Sequence, residues 1–320
     1  MTTESAARPR TEQAPWAFAR EWGGEGWITD LDGPVHWVEF GGGDGPAPPL
    51  VFVHGLGGSH LNWVRIGPDL AAGRRGVALD LAGFGLSPGA GRDCSVQGNA
   101  RLLHRFVVDV LGGEAVLVGN SMGGAVSVLA AAAHPEAVAG LVLVDPALPA
   151  PLQIPDAVVA GLFLLYGAPV VGEVFMKLME SRLSPSQQVE RVMRVCFADP
   201  ARASEPVMAA LAALAEHRRS ISGKERWFLQ AARSLMRLLA RPAPYRAALR
   251  GLAPPTLLIH GEADRLVPIA AARAAAAENP GWGTLFIPGV GHTPQLECPE
   301  LVVESMSGWL ARHPRLTAVR

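Results

Sequence analysis

The sequence predicts an α/β protein built on a mostly parallel sheet, and three observations carry that prediction. Short runs rich in Val, Ile and Leu alternate with longer alanine-rich segments, as strands alternate with crossover helices. Most of these runs end in polar or glycine-containing residues, the composition of carboxyl-end loops where such sheets bind ligands. Between Pro146 and Leu252 the strand pattern stops, and the chain reads as helices punctuated by prolines.

The elements follow in order. Residues 1–25 begin rich in Thr, Glu, Ala, Pro and Arg, without the apolar stretch of a secretory signal, and read as a flexible lead-in. Strands are expected at 26–31 and 35–40, an antiparallel hairpin turned by Asp32-Gly33-Pro34. A Gly/Pro-rich connection leads to a strand at 50–53 and the loop His54-Gly55-Leu56-Gly57-Gly58. Further strands are expected at 76–79, 115–118, 141–144, 256–259 and 284–287. The chain thus divides into a core of residues 26–146 and 253–315 and a helical cap of residues 147–252.

Composition bounds the partners. With 49% hydrophobic and 18% charged residues the chain is not disordered, and a formal net charge of −1 gives no electrostatic case for nucleic acid. Small molecules are the expected ligands. Cys94, Cys196 and Cys298 are odd in number, far apart and without metal-ligand spacing, so a reducing, cytoplasmic setting is expected. The longest apolar run, 157–171, is shorter than the roughly 18 to 20 residues that span a bilayer.

Within the cap, Ser222 and Glu225 have capping-box spacing, which predicts a helix from near Gly223 to just before Pro242. Arg226, Arg233, Arg237 and Arg241 fall in one arc of it, opposite Trp227, Phe228, Leu235, Leu238 and Leu239. Residues 181–250 carry 13 Lys/Arg against 5 Asp/Glu, a local +8 that leaves −9 elsewhere. The plain reading is a core face backed by a solvated arginine face. The sharper one is a basic cap that meets anionic lipid surfaces or acidic substrates. The apolar residues from Val158 to Tyr166 either line an acyl or aromatic pocket or form the cap's own core.

The chemistry centres on Gly119-Asn120-Ser121-Met122-Gly123-Gly124, which follows the strand at 115–118 and opens an alanine-rich helix. A serine on such a sharp strand-to-helix turn is exposed as a nucleophile, and Gly119 and Gly123 remove the side chains that would clash. The Met122 amide then points to where an oxyanion would form. The alternative is a glycine-rich corner with an incidental serine. A serine nucleophile needs a base and an orienting acid. His292 follows the last strand in Pro288-Gly289-Val290-Gly291-His292, and Asp264 closes Ile259-His260-Gly261-Glu262-Ala263-Asp264. Asp145, at the end of the strand 141–144, is the other candidate acid. In the loop 54–58 the Leu56 amide can pair with that of Met122 as an oxyanion hole. A phosphate cradle fails for want of a following Lys and Ser/Thr, and a dinucleotide fingerprint fails on glycine spacing.

Together with Asp80-Leu81-Ala82-Gly83-Phe84-Gly85-Leu86-Ser87 and Val267-Pro268, these motifs resemble the α/β-hydrolase superfamily over residues 26–313. The resemblance implies the α/β-hydrolase fold: a mostly parallel eight-stranded sheet with helices on both faces, a cap after the sixth strand, and neither cofactor nor metal. Serine at 121 argues against haloalkane dehalogenases and epoxide hydrolases. The elbow is similar to that of meta-cleavage-product hydrolases, which break carbon–carbon bonds and commonly carry Trp where Thr293 follows His292. Esterases and monoacylglycerol lipases resemble the chain equally well. The expectation is a serine carboxylic-ester hydrolase for small or medium apolar substrates, working through Ser121, His292 and Asp264. A carbon–carbon hydrolase and a ligand-binding receptor with negligible turnover are the alternatives.

Overall fold

A computed structural model describes residues 9–41, 43, 45, 47–149 and 156–317. The strands are β1 (Thr11–Gln13), β2 (Glu25–Asp30), β3 (Pro34–Phe40), β4 (Leu50–Val53), β5 (Gly76–Leu79), β6 (Ala115–Asn120), β7 (Val138–Val144), β8 (Thr256–Gly261) and β9 (Gly283–Ile287). They form one sheet in the order β1-β2-β3-β5-β4-β6-β7-β8-β9. Pairing is antiparallel from β1 to β3 and between β3 and β5, and parallel from β5 through β9.

The helices are α1 (Gly67–Leu70), α2 (Val96–Arg105), α3 (Met122–Ala133), α4 (Ala157–Gly167), α5 (Val171–Arg182), α6 (Pro185–Cys196), α7 (Glu205–Arg219), α8 (Lys224–Ala240), α9 (Pro242–Arg250), α10 (Ile269–Glu278), α11 (Pro294–Glu297) and α12 (Pro299–Ala311). Alternate residues of the central strands enter two cores, one on each face of the sheet. Val51, Val53, Leu117, Leu141 and Leu143 pack with α2, α3 and α10, whereas Leu50, Phe52, Val116, Val118 and Val142 pack with α12. A sheet covered on both faces needs strands apolar at every position, which is why β4 reads Leu-Val-Phe-Val and is buried throughout. Each such side chain contributes about 1.5–3 kcal/mol on full burial.

Two boundaries differ from expectation. Thr11–Gln13, inside the expected lead-in, is a ninth strand: it pairs with β2, and Thr11 Oγ1 meets Thr29 Oγ1 at 2.9 Å. The open edge of β2 recruits this short polar run, whose exposed side chains carry no apolar alternation. Trp16 and Phe18, farther along, lie edge-on against His217 of α7. At the other end, α9 packs on α3 and puts Tyr245 and Leu249 into the sheet core, so the last part of the expected cap belongs to the core layer.

Among the described residues, six helices, α4 to α9, lie between β7 and β8. Helix α8 has the expected limits but not the expected cap. Gly223, at φ 87, takes the N-cap position with no side-chain cap bond, so Ser222 lies one residue too early and Glu225 instead approaches Lys224 at 3.6 Å. Arg226, Arg237 and Arg241 are exposed as expected. Arg233 is not: its guanidinium donates to Glu173 and to the carbonyls of Tyr166 and Ala168, tying α8 to α4 and α5. Nor does the run from Val158 to Tyr166 simply face inward, because Val158 and Leu164 point to solvent.

Candidate active site

The sheet brings the expected elbow to its carboxyl edge. Ser121 sits between β6 and α3 at φ 54, ψ −119, a left-handed conformation that costs a non-glycine residue about 1–3 kcal/mol. Neighbouring backbone holds it there: Ser121 N donates to Val144 O at 3.1 Å, and Ala147 N donates to Ser121 O at 2.9 Å. The flanking glycines are sterically required. A Cβ on Gly119 would lie 2.5 Å from Gly123 O, and one on Gly123 would lie 2.1 Å from Val53 O. The Ser121 hydroxyl makes no cap bond to α3, and the residue is partly exposed. The Met122 amide, first in α3, has no acceptor within the helix.

Two and three strands away, the loops after β8 and β9 bring Asp264 and His292 together, with Asp264 Oδ2 and His292 Nδ1 2.7 Å apart. The other oxygen of Asp264 accepts the Leu266 and Val267 amides at 2.7 and 3.1 Å, which fixes the carboxylate. Burial opposes its ionisation, yet His292, His260 and the Val267 amide outweigh that cost and hold its carboxyl below the usual range. Asp145 does not reach the imidazole by a hydrogen bond. Its Oδ1 accepts the Gly261 amide at 2.9 Å, and burial, then repulsion from Asp264, push it well above the usual carboxyl range. Asp145 therefore favours the neutral acid form beside a charged Asp264.

The loop after β4 lies directly against the serine. A Cβ on Gly55 would be 3.0 Å from that of Ser121, so only glycine brings the Leu56 segment this close. His54 braces the loop: its Nδ1–H donates to Gly55 O at 2.7 Å, and its Nε2 accepts the Leu81 amide at 3.1 Å. Burial lowers this imidazole to about 4, so it is a neutral strut. Above the loop, Phe228 of α8 approaches Gly57, and its ring lies near those of Phe84 and Tyr166.

Two buried clusters of His and Asp have metal-like proximity. In one, His36 Nδ1 and His60 Nδ1 both meet Asp80, which also accepts the His60 and Leu86 amides. In the other, His260 Nε2 donates to Val267 O at 2.9 Å and stands 3.6 Å from both Asp145 and Asp264. All three rings can act as hydrogen-bond donors to these oxygens, His36 and His60 to Asp80 and His260 to Val267 O.

Sequence reasoning missed a third carboxylate. Glu297, at the end of α11, is fully buried and accepts Gly291 N at 2.8 Å, Asp199 N at 3.0 Å and Ala198 N at 3.2 Å. Arg202 closes the same junction by donating to Glu297 and to Gly289 O. Next to it, His292 N donates to Cys196 O at 2.6 Å. The loop that carries His292 is thus bonded to the segment joining α6 and α7. The one available signal was an acid set among apolar residues in Pro294-Gln295-Leu296-Glu297-Cys298.

The family model for the alpha/beta hydrolase fold matches residues 48–299. The chain belongs to the α/β-hydrolase family. Three curated relatives show the breadth of activities within that α/β-hydrolase likeness. The dihydrolipoyllysine-residue acetyltransferase component of the acetoin cleaving system of Pseudomonas putida is 30% identical, over 92% of this chain and 75% of that protein. A pimeloyl-acyl-carrier protein methyl ester esterase of Aromatoleum aromaticum is 30% identical over 79% of this chain and 94% of its own. A 2-hydroxymuconate semialdehyde hydrolase of a Pseudomonas species is 30% identical over 69% and 72% respectively.

Proposed function

We propose that this α/β-hydrolase cleaves carboxylic esters of small or medium apolar substrates through an acyl-enzyme on Ser121. The observation that carries the reading is the 2.7 Å Asp264–His292 bond at strand ends beside the left-handed Ser121 elbow. With the Nδ1 proton directed at Asp264, the Nε2 lone pair is free to take the Ser121 proton. The serine oxygen then attacks the ester carbonyl, and the Leu56 and Met122 amides stabilise the oxyanion, each donor typically contributing ~3 kcal/mol. His292 returns the proton to the departing alcohol. It next activates the water that releases the acid. The rings of Phe84, Tyr166 and Phe228 beside the glycine loop support an apolar substrate, and the esterase relative supports ester chemistry. Free cysteines at 94, 196 and 298 accord with a cytoplasmic setting.

A carbon–carbon hydrolase is the second reading, favoured by the semialdehyde hydrolase relative. A fluorophosphonate probe with peptide mapping, followed by p-nitrophenyl esters and a ring-fission dienoate, separates the readings. Labelling of Ser121 with ester turnover is expected. Ester cleavage that survives Ser121→Ala would sink the proposal, turnover of the dienoate alone would move it to carbon–carbon cleavage, and labelling without turnover would favour a receptor.

A further inference from the structure

Helix α4 carries no charged residue, and its exposed side is as apolar as its inner side. Surface helices of water-soluble proteins turn a polar face outward, and a helix apolar all round is normally covered. Here Val158 is 62% exposed, Leu164 76% and Val170 71%. The ridge continues along α5, where Val171, Val174 and Leu178 recur at helical spacing and are also exposed. Val170, at the corner between the helices, is a β-branched residue at φ 65. That conformation is strained for valine and holds an apolar side chain outward.

The charges around the ridge select its occupant. Arg182 extends the Val171–Val174–Leu178 stripe by one turn, Lys177 flanks it, and both are exposed with no ion pair among the described residues. The acids of α5 are engaged elsewhere, Glu173 with Arg233 and Glu180 with Lys224 at 3.0 Å. Exposed Arg237 lies one turn beyond Arg233, whose guanidinium holds the carbonyls of Tyr166 and Ala168 at the corner. Among the described residues, an apolar stripe flanked by two cations outside any ion pair, with the acids of α5 and Asp156 at the start of α4 already paired, matches an anionic lipid surface. A two-fold contact with another copy through this face would instead bring like charges together. Among the described residues no single helix is long and apolar enough to cross a membrane, and α4 and α5 reach that composition only as a pair bent by 115°.

We infer that the α4–α5 corner docks the protein on anionic membranes, with Val158, Leu164, Val170, Val171, Val174 and Leu178 entering the acyl boundary and Lys177 and Arg182 at headgroup level. This moves the lipid contact from the arginine arc of α8, where Arg233 is committed to internal bonds, to the apolar corner. The inference is independent of ester hydrolysis, and the Ser121→Ala protein must bind equally.

The test is flotation of the full chain with vesicles of phosphatidylcholine alone or with about one-third phosphatidylglycerol, together with its mass in solution. Flotation is expected with the anionic vesicles, weakened by salt. Val170→Asp with Val174→Asp should reduce binding by about tenfold or more with no fall in melting temperature, and Lys177→Gln with Arg182→Gln should remove the preference for anionic lipid. Because all four positions are exposed, the fold should survive. No flotation, or flotation indifferent to both double variants, overturns the inference. A dimer without lipid that the aspartates dissociate would also overturn it, assigning the face to a second copy.

Discussion

Replacing Glu297 by Gln removes a charge and one acceptor oxygen at the junction that holds His292. One carboxylate oxygen accepts Gly291 N and Ala198 N, and the other accepts Asp199 N and Arg202 Nη1. In either amide orientation a side-chain NH2 must face an N–H donor in a fully buried site. Hydrogen bonds to charged groups contribute about 1.5–3 kcal/mol each, and losing one or two predicts destabilisation of about 3 kcal/mol. The catalytic consequence is separable. Gly291 precedes His292, so a shift of the loop on the order of 1 Å misaligns the imidazole and lowers kcat by roughly 10- to 100-fold. Because Glu297 is fully buried and bonds only to backbone amides and Arg202, KM should change little. Urea unfolding and p-nitrophenyl butyrate hydrolysis measure the two effects, and Glu297→Asp should restore part of each. Wild-type stability together with wild-type kcat in the Gln variant would refute the reasoning.

Four further outcomes are expected. Asp264→Asn should lower kcat for ester cleavage by ~10⁴ through loss of the productive tautomer, with Asp145→Asn largely active; steady-state kinetics showing the reverse order would reassign the acid. Asp145→Asn should also raise the melting temperature at pH 7, since the raised carboxyl pKa marks stability lost as pH rises, and that gain should vanish below about pH 4. The His54 pKa is lowered to about 4, so its contribution of roughly 3 kcal/mol is complete above pH 6.5 and lost as pH falls toward 4; a denaturant midpoint flat across that window would contradict it. Gly123→Ala puts a Cβ against the backbone of Val53 and His54 and should cost about 3 kcal/mol or more, whereas Gly113→Ala, which meets nothing, serves as the control.

The parallel strands were legible because burial on both faces forces uninterrupted apolar runs such as Leu50-Val51-Phe52-Val53. The elbow was legible for a similar reason, since sterics at Gly119 and Gly123 leave only one residue type. Thr11–Gln13 was not, because an edge strand with exposed side chains needs only backbone groups to pair. The outward side of α4 was hidden by its uniformity: a segment apolar at every position has no amphipathic period to say which side faces water. Glu297 was illegible for the opposite reason. Its partners at 198, 199 and 291 are backbone amides, which every sequence supplies and none advertises.

The bond from His292 N to Cys196 O makes the junction between α6 and α7 the spine of the helical cover. With His292 as the proposed base, any displacement of this junction would carry the imidazole away from Ser121, so the segment joining α6 and α7 and the loop after β9 move together.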